Sequence, residues 1–160
     1  VSGRPIRVVL DTSAIIAYTR ESINVGEVFT EVDEESAAFG LPVLCLVEAS
    51  RTVADDVRFE LLLTHPACEV LSVEADNWKA LVATNWIVGR IDAASAALAA
   101  IDNGCYTLTG QPGQYDGVGG RAAPYPEPER SRRRHLLFKG SALWVRAAAP
   151  ADAGRRPPAG

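Results

Sequence analysis

Short apolar runs rich in β-branched residues alternate with helical patterns along most of this chain, and the first of them sets the scheme. Arg4 to Leu10, RPIRVVL, stops on Asp11-Thr12-Ser13 and passes straight into the helix-compatible AIIAYTRES. That is a strand feeding a helix, with Thr12 or Ser13 suited to cap the helix start. Ile23 to Glu35 follows with helical period, carrying Val25, Val28, Phe29 and Val32 on one side. Leu41 to Leu44 reads as a brief extended entry, since Pro42 biases the residue before it away from helix. From Leu46 one helix is expected through LVEASRTVADDVRFELLL, broken by His65-Pro66. Glu69 to Val73 reads as a second strand and Glu74 to Gly89 as a helix. Asp92 to Ile101 is an alanine-rich helix stopped by Asn103-Gly104, and Cys105 to Thr109 is a third strand opening into the loop 110–117.

Alternation with joints this short indicates an α/β fold, a mainly parallel central sheet covered by helices on both faces in three α/β/α layers. In such sheets ligands bind beyond the carboxyl ends of the strands. Asp11 and the loop after Thr109 both fall at that edge, which makes them candidates on position alone.

The 160 residues, 48% of them hydrophobic, suffice for one domain with some chain left over. The formal charge of −4 hides a division near Gly120: residues 1–120 carry 7 basic and 17 acidic side chains, whereas residues 121–160 carry 9 and 3. The first part is read as the domain and the second as a basic Pro/Arg/Ala/Gly-rich tail, largely disordered by composition. Within the tail the island LLFKGSALWVRAAA suits one edge strand or a docking segment. No apolar run approaches the ~18 residues that span a bilayer, and the first residues lack the apolar stretch of a secretory signal. A cytoplasmic protein with no membrane partner is therefore expected. Cys45, Cys68 and Cys105 are scattered, form no C-x-x-C pair, and read as reduced core residues.

Three acids stand out by position. Asp11 ends the first strand, Glu48 interrupts the apolar LCLVEASR, and Asp92 begins the alanine-rich helix. A buried carboxylate is costly unless paired, hydrogen-bonded or metal-bound. Three converging at one sheet edge repel each other unless a divalent cation stabilises them, and Mg²⁺ or Mn²⁺ suits an all-oxygen site. The plainer roles are a helix cap for Asp11, an exposed helix face for Glu48 and a favourable first-turn charge for Asp92. His65 and His135 do not fit a His-rich zinc site.

Taken together, VVLDTSAIIAY around Asp11, LPVLCLVEASR around Glu48, RIDAASAALAA around Asp92 and YTLTGQPGQY resemble a PIN domain over residues 6–116. This is the metal-dependent nuclease fold of the toxin in VapBC-type toxin–antitoxin pairs. The resemblance implies an endoribonuclease that hydrolyses RNA phosphodiester bonds, with Asp11, Glu48 and Asp92 as catalytic residues and ligands of Mg²⁺ or Mn²⁺. Thr12, Ser13 and Thr109 would orient a carboxylate or a water behind them. A cognate antitoxin is the implied protein partner, and a homodimer is a further possibility.

One position departs from the family's pattern. Its closing T-x-D segment carries an acid two residues after the threonine, and here that place holds Gln111. Glutamine offers a carbonyl oxygen but neither a negative charge nor a base. A weakened nuclease, or a catalytically silent PIN-fold binding module, is the alternative reading. Asp116 is read as a loop residue, with entry into the site as the alternative, and Asp102 as solvent-facing. Arg51 is placed to pair with Glu48 or to reach a phosphate, and Arg130, Arg132, Arg133 and Arg134 offer a grip on RNA or are simply sequence beyond the domain. Trp78, Val82 and Trp86, at spacings of four, are expected to pack inward, with a dimer or antitoxin surface as the other possibility. Other phosphate chemistries find less support: Ser13 stands where a haloacid-dehalogenase-like site needs a second acid, and no Gly-rich phosphate loop occurs.

Overall fold

The computed structural model describes residues 3–20, 23–53, 55–118 and 143–146. The chain runs β1 (Ile6–Leu10), α1 (Thr12–Thr19), α2 (Ile23–Glu34), β2 (Ala38–Pro42), α3 (Val43–Ser50) and α4 (Asp56–Leu63). It continues through β3 (Cys68–Leu71), α5 (Trp78–Val88), α6 (Ile91–Asp102), β4 (Tyr106–Thr109) and β5 (Leu143–Arg146). Short 3₁₀ turns at Ala75–Asn77 and Pro112–Tyr115 complete the path.

The five strands form one sheet in the order β3-β2-β1-β4-β5. The first four are parallel, with Val9 opposite Gly40 on one side and Thr107 on the other. β5 pairs antiparallel with β4, Thr109 opposite Leu143. The expected α/β/α architecture with a mainly parallel sheet is thus present, and the island in the tail does supply an edge strand. Because β2 and β4 lie on opposite sides of β1, right-handed crossovers carry their helices to opposite faces. The order reverses between β1 and β4, and at such a reversal a crevice opens beyond the strand ends. Burial follows the same logic: Val8, Val9 and Leu10 of β1 and Phe39 and Leu41 of β2 are enclosed from both faces. Phe39 stacks on Phe29 of α2 at 4.2 Å, and Val25, Val28 and Val32 join that core as their spacing predicts.

Three expectations are corrected. The sequence AFGLP forms a full central strand, although only its end reads as extended. It has no β-branched residue, and a Cβ on Gly40 would lie 2.5 Å from Leu71 Cδ1 on β3, so a larger residue there requires the Leu71 side chain to shift. The single helix expected from Leu46 to Leu63 is two. Asp55 leaves the helix to become an N-cap, accepting the Arg58 amide at 3.1 Å, and α4 starts afresh. Finally, Trp78, Val82 and Trp86 do not pack inward. They are 58%, 45% and 84% exposed, because Leu81, Thr84 and Val88 form the inner face of α5.

Cys45 and Cys105 are buried and all three cysteines are free thiols, as expected. No helix among the described residues is long and apolar enough to cross a membrane. Arg130, Arg132, Arg133, Arg134 and His135 lie outside the described residues.

Candidate active site

Asp11 is the last extended residue before α1, and its side chain caps that helix by accepting the Ala14 amide at 2.9 Å. The cap expected from Thr12 or Ser13 falls to Asp11 because both hydroxyl residues are already helical. This frees their hydroxyls for other partners. Ser13 Oγ donates to Asp11 Oδ1 at 2.6 Å and accepts the Gly110 amide at 2.7 Å. Thr12 Oγ1 donates to Asp92 Oδ2. The other Asp11 oxygen accepts the phenol of Tyr115 at 2.9 Å.

Asp92 reaches the same place from α6. Gly89, in the left-handed conformation at φ 80°, ends α5, and Arg90 in extended backbone turns the chain into α6 with Asp92 in its first turn. Underneath, the Cys45 thiol on α3 donates to the Asp92 backbone carbonyl at 3.1 Å. Glu48, one turn further along α3, completes the trio. Thr109, fully buried at the end of β4, holds the Gln111 amide through its hydroxyl at 2.9 Å.

Asp11, Thr12, Ser13, Glu48, Asp92 and Gln111 thus line one cleft of about 130 Å³ beyond the carboxyl ends of β1 and β4, with Thr109 behind it. Asp116 does not line it, and Asp102 is exposed at the far end of α6, both as read from the sequence. Three participants escape the sequence reading. Tyr115 is buried and touches Asp11, Cys45 lies beneath Asp92, and Arg90 crosses the mouth of the cleft. A cation two residues before a candidate acid was the available signal for Arg90; Tyr115 and Cys45 carry none in sequence.

Arg90 dominates the electrostatics. Its Nε and Nη2 reach Asp92 Oδ1 and Oδ2 at 3.1 and 2.9 Å, and Nη2 lies 3.6 Å from Glu48 Oε1. Arg51 takes the other Glu48 oxygen at 3.2 Å, the pairing rather than the phosphate contact. Burial by itself pushes the Asp92 carboxyl up, but the Arg90 hydrogen bonds, and then the Thr12 hydroxyl, outweigh it and hold the group below its ordinary value. Burial and the neighbouring Asp11 charge push the Tyr115 phenol far above its usual range, so it stays a donor. Burial likewise raises the Cys45 thiol to about 12, which keeps it protonated.

Carboxylate, amide and hydroxyl oxygens are the donors that Mg²⁺ and Mn²⁺ prefer, so the chemistry of the lining fits a hard divalent ion. The arrangement does not yet present those oxygens as a ligand set. Among the described residues no group of three His, Cys, Asp or Glu side chains is disposed to hold a metal ion. Arg90 and Arg51 engage the carboxylates of Asp92 and Glu48, and Tyr115 engages that of Asp11. Neither a scan against protein-family models nor a search of curated proteins finds a match to this chain.

Proposed function

We propose that this chain is a Mg²⁺- or Mn²⁺-dependent endoribonuclease of the PIN type, the toxin of a VapBC-type pair. The observation that carries the reading is convergence: Asp11, Glu48 and Asp92, far apart in sequence and on separate elements, line one cleft at the topological reversal of a parallel sheet. Asp11, Glu48 and Asp92 would hold the ion, with the Gln111 carbonyl as a neutral fourth donor. When bound, such an ion supplies an activated water and stabilises charge on the scissile phosphate. The protein's own part is positioning. Thr12 fixes Asp92, Ser13 fixes Asp11 and, through the Gly110 amide, ties the loop after β4 to the first turn of α1. A cytoplasmic location follows from that activity. The exposed Trp78, Val82 and Trp86 support α5 as a contact face for an antitoxin or a second copy, which size-exclusion with and without the antitoxin would test.

The test is RNA cleavage with Mg²⁺ or Mn²⁺ by wild type, Asp92→Asn and Gln111→Asp. Wild type is expected to cleave, and chelator or Asp92→Asn to reduce the rate at least a hundredfold. Cleavage that persists in excess chelator overturns the mechanism. Gln111 and the arginine-bound acids favour a second reading, a silent PIN-fold module that binds without cutting. Activity in Gln111→Asp alone would select it.

A further inference from the structure

We propose that Arg90 is the resident cation of the acidic cleft, and that its guanidinium must leave Asp92 and Glu48 before those carboxylates can take a divalent ion. The proposal rests on the metal-dependent reading above and adds to it a device that sets the metal affinity. One guanidinium spans two acids from different elements: it forks across both oxygens of Asp92, on α6, and lies 3.6 Å from Glu48, on α3. With Thr12 on Asp92 Oδ2 and Arg51 on Glu48 Oε2, all four oxygens of these two acids are engaged. A forked, charge-assisted pair is the strong form of this interaction and competes directly for the lone pairs a metal needs.

The other acid is held differently. Asp11 is tied by a helix amide, a hydroxyl and a phenol, none of which carries positive charge. The competition is therefore confined to the Asp92 and Glu48 side of the cleft. The Arg90 side chain also lies outside the hydrophobic core. Its side chain is 45% exposed, and it sits in extended backbone between the left-handed Gly89 and the start of α6. Swinging it outward breaks no helix and opens no core.

Mn²⁺ binding to the full chain is to be measured directly, from the electron paramagnetic signal of free Mn²⁺, for wild type, Arg90→Gln and Arg90→Lys. RNA cleavage is followed in the same buffers. Arg90→Gln is expected to bind Mn²⁺ about tenfold more tightly than wild type, the scale of one partly exposed forked ion pair. Arg90→Lys, which keeps the charge but cannot fork, falls between. Equal affinities in wild type and Arg90→Gln overturn the proposal, and RNA cleavage by that wild type leaves the nuclease reading standing. Tighter binding by Arg90→Gln with no cleavage by any form supports the role of Arg90 and overturns the nuclease. Absence of Mn²⁺ binding in both overturns the two together. Should Arg90→Gln lose its cooperative thermal transition, Arg90→Lys against wild type decides by the same criterion.

Discussion

Asp11 shows how one side chain serves fold and site at once. Its carboxylate closes the first turn of α1 and also receives the buried phenol of Tyr115 from the turn after β4. Each partner removes freedom from a group that the proposed chemistry needs in one orientation. Tyr115→Phe removes a donor from the carboxylate of the buried Asp11, at an expected cost of about 1–3 kcal/mol. Urea unfolding should show that loss, and in an Asp11→Ala background the same substitution should cost much less. Equal stability of Tyr115→Phe and wild type would remove the tyrosine from the site's support. Asp11, Glu48 and Asp92 were legible in the sequence because each acid interrupts a stretch suited to burial. Arg90, Tyr115 and Cys45 were not, since an arginine at a joint, a tyrosine in a loop and a cysteine in an apolar run look ordinary until the fold brings them together.

At the level of elements, glycine's position decides the sign of its replacement. Gly89 ends α5 at φ 80°, where an L side chain is strained although nothing obstructs it. Gly89→Ala is expected to lower stability by about 1 kcal/mol, and Gly89→Asn by less, because asparagine tolerates that conformation. Gly26 lies inside α2 with open space at its Cβ. There Gly26→Ala should raise stability by roughly 0.5–1 kcal/mol. Thermal unfolding of the three variants checks both signs. The elements themselves were legible where pattern was strong, as in Val25, Val28, Phe29 and Val32 of α2. They were obscured where tertiary contact overrode propensity. Gly40 and Pro42 disguise a central strand, and Asp55 divides a helical pattern that hydrophobic spacing alone leaves continuous. The period of four in Trp78, Val82 and Trp86 defines a stripe but does not say which way it faces.

For the whole molecule, the sheet order joins the acidic body to the tail. β4 is flanked by β1 on one side and by Leu143–Arg146 on the other, so a segment from the basic part of the chain completes the sheet beside the candidate site. Cutting the chain after Gly120 removes that strand as well as most of the positive charge. Two consequences are separable. The amides of Tyr106 to Thr109 that face β5 are expected to lose hydrogen-exchange protection, because the edge of β4 is then open. RNA affinity is expected to fall and its salt dependence to flatten if the tail's arginines contact phosphate, since each such contact contributes to the salt slope. A double substitution of Arg132 and Arg133 in the full chain distinguishes the effects: it should flatten the salt slope while leaving β4 protected. Unchanged RNA affinity in both the truncated and the substituted chain would remove the tail from the proposed RNA binding and leave it a structural part through β5 alone.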